Sequence, residues 1–475
     1  MPMTEQQASK QESFRDRLAT ADKSGKRIWV YPAKPKGPFY RARSMVAALL
    51  LIFLFAAPFI KIDGQPLLLF NILQRRFIIF GVHFWPQDFH LFVLAAITLG
   101  VFVILFTAVF GRLFCGWVCP QTIFMEMVFR RIEYWIEGGP AKQRRLDKQP
   151  WNEVKLFKKG LKHLIFFGIS FLIGNIFLAY IIGADALLKI ISDPPSQHLG
   201  GLTAMIIFSL VFYGVFAWFR EQVCTMVCPY GRLQSVLVDK NSIMVMYDYK
   251  RGEPRAPMTR GAERSQAGDC VDCNACVTVC PTGIDIRNGT QLECVNCTAC
   301  IDACNRTMRR VGLPEGLIRY SSGNAIATGT HRWLTGRVAG YSAALVVLLS
   351  ILGTLLLTRS PIDTIILRAQ GAMAQQLDNG DVRNLYSVKF VNKTMENMSV
   401  SLRLKAPQGG HLTLVSGEQV PVAADSLAES AFFVDLPGKM LYGPSTMVAV
   451  EVVADGKPID EIKTTFIKPA KGSKR

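Results

Sequence analysis

The chain has 475 residues, half of them apolar and 19% charged, with a formal charge of +18 and twelve cysteines. Average soluble domains carry about 25% charged residues, and here the deficit is concentrated in a few apolar runs separated by basic stretches, which excludes a single soluble enzyme. Twelve cysteines in a chain of this kind point to metal or redox chemistry before disulfides.

Residues 1–43 are hydrophilic, with ten Lys/Arg and four acids, and no small-residue cleavage site follows; they read as a basic cytoplasmic segment and not as a secretory signal. Five runs, 44–60, 89–110, 161–182, 202–219 and 338–357, are long and apolar enough to cross a bilayer core of roughly 30 Å. A sixth, 66–84, is broken by Gln74, Arg75 and Arg76 and reads as a loop or hairpin lying on the membrane. Residues 112–162 hold eleven Lys/Arg against five acids, whereas 184–201 has one Lys and two Asp. The positive-inside rule then places the N-terminus, 112–162 and 220–337 in the cytoplasm and everything after about 360 outside. The basic excess fits this juxtamembrane role, and without a basic, aromatic-interleaved module no nucleic-acid partner is expected.

Two cysteine pairs follow the second and fourth spans: Cys115-Gly116-Trp117-Val118-Cys119-Pro120 and Cys224-Thr225-Met226-Val227-Cys228-Pro229. Arg112 and Arg220 precede them at similar distances, so helix, loop, returning helix and C-x3-C-P form an internal repeat. Cysteines four apart share one face of a helix, and four thiols could meet at one membrane depth. The alternative is ordinary core packing. Pro120 and Pro229 are expected to end or bend their helices. Soft thiolates select Cu(I), zinc or iron–sulfur species; Met226, Met125 and Met127 could add thioethers, though gap-filling is the simpler role. His90 and His198 stand 25 and 26 residues before Cys115 and Cys224, at equivalent outer positions where interfacial hydrogen bonding is expected before haem or copper ligation. His163 lies at the inner edge, and His331 and His411 fall outside the spans.

Between the fourth and fifth spans lie Cys270-x2-Cys273-x2-Cys276-x3-Cys280-Pro281 and, thirteen residues on, Cys294-x2-Cys297-x2-Cys300-x3-Cys304. In the bacterial two-cluster pattern three thiolates wrap one [4Fe–4S] cube and the fourth crosses to the other. This assigns Cys270, Cys273, Cys276 and Cys304 to the first cluster, and Cys280, Cys294, Cys297 and Cys300 to the second. A pair of zinc sites is the alternative, disfavoured by two copies of the x2, x2, x3 spacing. Asn305, where many such domains have proline, is the departure.

After the last span, residues 362–378 could continue as a helix, and then the pattern alternates with period two in 386–391, 398–404, 412–415, 431–434 and 447–453. Short strands separated by Gly, Asn, Asp and Pro suggest a β-sandwich. The segment after Pro361 carries 13 Lys/Arg, 12 acids and no cysteine, so docking is its expected role. The expected fold is thus an α-helical membrane bundle of about five helices, with an inserted two-[4Fe–4S] ferredoxin domain and a C-terminal Ig-like sandwich. The divisions are 1–43, 44–235, 236–337, 338–357 and 358–475.

The two C-x3-C-P motifs, the ferredoxin run between spans four and five and the outer β-domain together resemble the CcoG/FixG/RdxA family of accessory proteins for assembly of cbb(3)-type cytochrome c oxidase. Trp85-Pro86-Gln87-Asp88 and Gly111-Arg112-Leu113-Phe114 add local matches. The resemblance implies an inner-membrane cupric reductase, with Cu(II) reduced to Cu(I) at Cys115, Cys119, Cys224 and Cys228 and Met226 as an extra candidate ligand. It also implies partners among oxidase assembly factors, copper chaperones or transporters, together with a cytoplasmic electron donor. Quinol-linked proteins such as NapH and NosR carry similar pairs beside ferredoxin runs, so quinol-linked electron transfer is one alternative. A non-catalytic copper chaperone or scaffold is the other.

Overall fold

The computed structural model describes residues 20–468, apart from 23, 25, 63, 73–75, 86–87, 259–265, 331, 333, 370–373, 379, 395 and 442. Gln74, Arg75 and His331 therefore lie outside the described residues. Two compact units form, one from 1–60 and 94–349, the other from 61–93 and 350–475.

Among the described residues five helices are long and apolar enough to span a membrane: Pro38–Ala56, Phe89–Phe110, Glu153–Ile182, Pro195–Phe219 and Gly336–Leu357. The third begins eight residues before its apolar core, because Asn152 caps it by accepting the Lys155 backbone N–H at 2.8 Å and the polar first turns of a helix need no bilayer. The fourth ends in a π-helical turn, Val215–Phe219, where Arg220 adopts φ 53°. A non-glycine residue in that region is uncommon, and here it breaks the span just before the second cysteine pair.

In the first unit the strands Met244–Tyr247 and Ile318–Ser321 pair antiparallel and close the ends of the ferredoxin segment on each other. Val245, Tyr247, Ile286, Ile301, Met308 and Leu317 build its core. Helix Ala299–Val311 runs through Cys304 without a break. Asn305 allows this where proline would interrupt the ladder, and its Oδ1 accepts the Gly316 N–H at 3.0 Å.

The second unit is a sandwich of two antiparallel sheets. Its strands are β1 (Ile362–Arg368), β2 (Gln375–Gln376), β3 (Asp381–Asn392), β4 (Met398–Ala406), β5 (His411–Leu414), β6 (Val420–Val422), β7 (Leu427–Pro437), β8 (Ser445–Ala454) and β9 (Lys457–Ile467). One sheet runs β5-β7-β3-β1 with β2 also on β3, the other β6-β4-β8-β9. Alternate residues face the core, so Tyr386, Val388 and Phe390 meet Phe432, Val434 and Val450, all fully buried. Tyr386 stacks on Phe432 with centroids 5.2 Å apart, and its hydroxyl donates to the Thr465 carbonyl at 3.0 Å, which satisfies the one polar atom such burial would strand. The helix expected over 362–378 is instead β1 and β2. Ile362, Thr364, Ile365 and Ile366 are β-branched, lose rotamer freedom in a helix and fit a pleated sheet, and β1 pairs with β3 over seven residues.

The broken apolar stretch 66–84 is a meander of short strands, Leu68–Asn71, Arg76–Ile79 and Val82–Phe84. At its end Asp88, 3% exposed, pairs with Arg359 at 2.5 Å and Lys393 at 2.6 Å. Burial by itself pushes this carboxyl up, but the Lys393 hydrogen bond and charge and the Arg359 charge outweigh it and hold Asp88 below the usual carboxylate range. A lowered folded-state pKa stabilises above the unfolded value near 3.9 and is lost as pH falls through the folded one. The urea midpoint of this unit, followed by a probe on the sandwich, should therefore hold steady down to about pH 4 and fall below it. Asp88→Asn should remove this residue's share of the acid slope; an unchanged slope would contradict the pairing.

Candidate functional site

Eight cysteines of the ferredoxin segment line two cavities. Cys270, Cys273, Cys276 and Cys304 line one, and Cys280, Cys294, Cys297 and Cys300 line the other, with Cys276 touching both. The backbone explains how two C-x2-C-x2-C loops wrap so tightly. Asp272, Asn274, Asn296 and Thr298 all have φ between 49° and 63°, at equivalent places in the two loops. Asp and Asn tolerate this left-handed turn, whereas β-branched Thr298 is strained there and donates its hydroxyl to the Cys297 carbonyl at 2.6 Å. Burial pushes Cys276, Cys294 and Cys304 up to about 12. Thiols so placed need a coordinating cation to ionise, and the donor set fits two cubic iron–sulfur clusters.

The second cysteine group sits against the first. Cys115 lies in the short helix Leu113–Trp117, while Cys119 is the N-cap of Pro120–Ile123. Cys224 lies in the π turn Val223–Val227, and Cys228 is the N-cap of Pro229–Leu237. The expectation of one continuous helical face per pair is thus corrected: each pair straddles a break. Proline cannot continue a ladder but suits the first position of a new helix, so each motif ends one helix and starts the next. The four thiols nevertheless come together, for Cys224 feels Cys119, Cys115 and Cys228, and Cys115 feels Cys119 and Cys228. Burial pushes Cys224 up to about 12, with the neighbouring thiols acting in the same direction. Burial also raises Cys115, against the Gln234 amide, which donates to its Sγ at 3.2 Å, and the Arg112 charge. Met226 is exposed, and Met125 and Met127 are buried in helix packing.

Gly116 joins the two groups. A Cβ there would stand 2.5 Å from the Val295 carbonyl oxygen and 2.6 Å from that of Asn296, so only glycine lets this turn lie against the backbone between Cys294 and Cys297. Cys115 packs with Val279, Val295, Cys297 and Ala299. Arg43 of the first span donates to the Gly116 carbonyl at 2.5 Å and reaches the Cys297 carbonyl at 3.5 Å. Asp302, beside the second cluster loop, accepts the backbone N–H of Tyr40 at 2.8 Å and of Phe39 at 3.2 Å, capping that same span with a negative charge at the favourable helix end. Arg112 donates to the carbonyls of Leu292 and Gly231, and Trp117 Nε1 donates to the Tyr320 hydroxyl at 3.0 Å.

The repeat places Arg220 where Arg112 stands, but Arg220 has a different task. It meets Glu133 through two bonds of 3.0 and 2.7 Å, both residues being buried. Arg130 pairs with Glu126 at 2.9 Å and approaches Glu221 at 3.7 Å, forming a buried charge cluster just before Cys224. Burial pushes Glu133 up, but Arg220, Lys162 and Arg130 outweigh it and keep it ionised. The contacts of Arg43, Asp302 and the acidic partners join residues up to 263 positions apart, so only the repeated arginine offered a sequence signal. His198 is hydrogen-bonded to Asp193 at 3.1 Å, an ordinary interfacial arrangement.

Comparison with known proteins agrees with this architecture. Family models described as "4Fe-4S dicluster domain", "4Fe-4S binding domain" and "IG-like fold at C-terminal of FixG" match residues 219–323, 92–139 and 352–469. Protein RdxA of Cereibacter sphaeroides is 31% identical over 92% of this chain and 97% of its own length. Nitrogen fixation protein FixG of Rhizobium meliloti is 32% identical over 87% of each chain, and Protein RdxB of C. sphaeroides 33% over 79% of this chain and 82% of its own.

Proposed function

Since this chain belongs to the FixG/RdxA family, we propose that it is a multi-pass membrane iron–sulfur protein that reduces Cu(II) to Cu(I) at Cys115, Cys119, Cys224 and Cys228, for insertion into a cbb(3)-type oxidase. One observation carries the reading: the Cys115 turn lies on the backbone between Cys294 and Cys297, with no room for a Cβ at Gly116. A soft-thiolate quartet therefore ends an electron path.

In this reading Cys270, Cys273, Cys276 and Cys304 hold the first [4Fe–4S] cluster, and Cys280, Cys294, Cys297 and Cys300 the second. Bound clusters supply one-electron storage at a potential set by their surroundings. The chain's own residues do the rest. Arg43, Asp302 and Arg112 fix the cluster loop against the thiol turn. Gln234, fully buried, orients the Cys115 sulfur. The quartet takes Cu(II) as substrate and, because thiolates favour the softer Cu(I) in low coordination, lowers the free energy of the reduced product. Loop charge puts the N-terminus and ferredoxin segment in the cytoplasm and the sandwich in the periplasm, where it would dock assembly factors or a copper chaperone.

A second reading has an observation of its own. The "4Fe-4S binding domain" model matches 92–139, which contains Cys115 and Cys119 but no cysteine of the ferredoxin run, so the quartet could hold a third cluster. Iron analysis separates the two. The copper reading expects about eight irons per chain, two clusters of four, and formation of Cu(I) from added Cu(II) by the reduced protein. About twelve irons, with no Cu(I) formed, would overturn it in favour of a third cluster.

A further inference from the structure

A cavity of about 480 Å³ lies at the meeting of the third and fourth spans, lined by Trp29, Glu137, Lys159, His163, Tyr213 and Trp218 among others. This is within the size range of small-molecule sites. Its walls contain charge in abundance, yet the charge cancels. Lys159 bridges Glu137 at 3.0 Å and Asp147 at 2.6 Å, Lys162 pairs with Glu137 at 2.8 Å, and Arg220 with Glu133 at 2.7 Å. Three cations against three carboxylates recruit neither an anion nor a cation. What remains to select a ligand is aromatic surface and one polar pair, the Tyr213 hydroxyl and His163 Nδ1, 2.7 Å apart. His163 is exposed at the polar end of the third span, next to Lys159 and Lys162.

We infer that this cavity binds the head group of a lipid-soluble quinone or quinol: a neutral planar ring with two oxygens, on an apolar tail. Trp218 offers a face for the ring, Trp29 being stacked with the Arg27 guanidinium at 4.0 Å, and the His163–Tyr213 pair offers a donor and an acceptor to one ring oxygen. The position gives the site a purpose that rests on the electron-transfer reading above. Arg220, in its wall, precedes Cys224 by four residues, and its carbonyl accepts from Gln121, two residues after Cys119. Oxidation of one quinol breaks two O–H bonds and forms the quinone. Its two electrons leave singly to one-electron acceptors of the iron–sulfur class, and its two protons leave one after the other through the exposed His163 imidazole to water.

The test is binding of decylubiquinone to the full cluster-loaded chain in phosphatidylcholine nanodiscs. Saturable one-to-one binding is expected, weakened about tenfold, the worth of one hydrogen bond, by Tyr213→Phe. Tyr213→Phe keeps the ring, so an unchanged melting temperature and iron content exclude misfolding as the cause, with His163→Gln as a second variant of the same design. A Cys115→Ala/Cys224→Ala variant should bind decylubiquinone like the parent while losing Cu(II) reduction, so failure of either reading is seen separately. Absence of saturable binding, equal binding by both cavity variants, or displacement of decylubiquinone by cardiolipin at equimolar amounts would overturn the inference.

Discussion

Gly116→Ala is expected to keep both clusters and the thiol quartet but slow the reduction of Cu(II) by the pre-reduced protein by about 10²-fold, the cost of an ångström-scale misplacement at a reacting centre. The added methyl has nowhere to go. It would meet two backbone carbonyls, at 2.5 and 2.6 Å, and not the end of a flexible side chain, so the turn and the cluster loop must part. Overpacking of this kind also costs about 1–3 kcal/mol. Stopped-flow mixing of the reduced variant with Cu(II), beside iron analysis, reads the two effects apart. Parent-like rates would show that electrons do not cross at this contact.

Arg220→Met should strongly destabilise the first unit, because it leaves Glu133 with its bidentate partner gone. Breaking a buried pair by removing one member costs about 3–5 kcal/mol, whereas replacing both by apolar residues is often neutral. Thermal melts in detergent should therefore show a large loss for Arg220→Met and recovery in Arg220→Met/Glu133→Leu. Because Arg220 also carries the left-handed turn before Cys224, the single variant should lose metal at the quartet before the ferredoxin segment unfolds. Equal melting temperatures for single and double variants would contradict the assignment.

Much of this architecture is legible without coordinates, for identifiable reasons. Span length is fixed by bilayer thickness, so apolar runs alone located all five long helices, and their errors lie at polar ends such as Glu153–Leu161, where a cap and not hydropathy sets the boundary. Cluster ligation imposes spacing on the chain itself, and the crossing of Cys280 and Cys304 between the two cavities follows from it. Period-two alternation marks β3, β4, β5, β7 and β8, while β1 follows a long helix so closely that its Ile and Thr residues read as a continuation of it. The thiol pairs show a different limit. Spacing of four suggested one helical face, but the proline after each pair makes the second cysteine an N-cap, and the quartet converges through two broken helices. Arg43, Asp302, Glu133 and Gln234 were silent because their partners lie far along the chain, and a buried ion pair or a helix cap between distant segments leaves no local pattern.

The most direct test of the central claim is anaerobic and stoichiometric. The full chain in detergent is reduced, freed of excess reductant and mixed with Cu(II), while cluster absorbance and a Cu(I)-specific chelator are followed together. Reoxidation of the clusters matched one for one by Cu(I), and absent in a Cys115→Ala/Cys119→Ala/Cys224→Ala/Cys228→Ala variant that keeps its ferredoxin iron, is the predicted result. Clusters that stay reduced in the presence of Cu(II), or a variant without the four thiols that forms Cu(I) as fast as the parent, would contradict it.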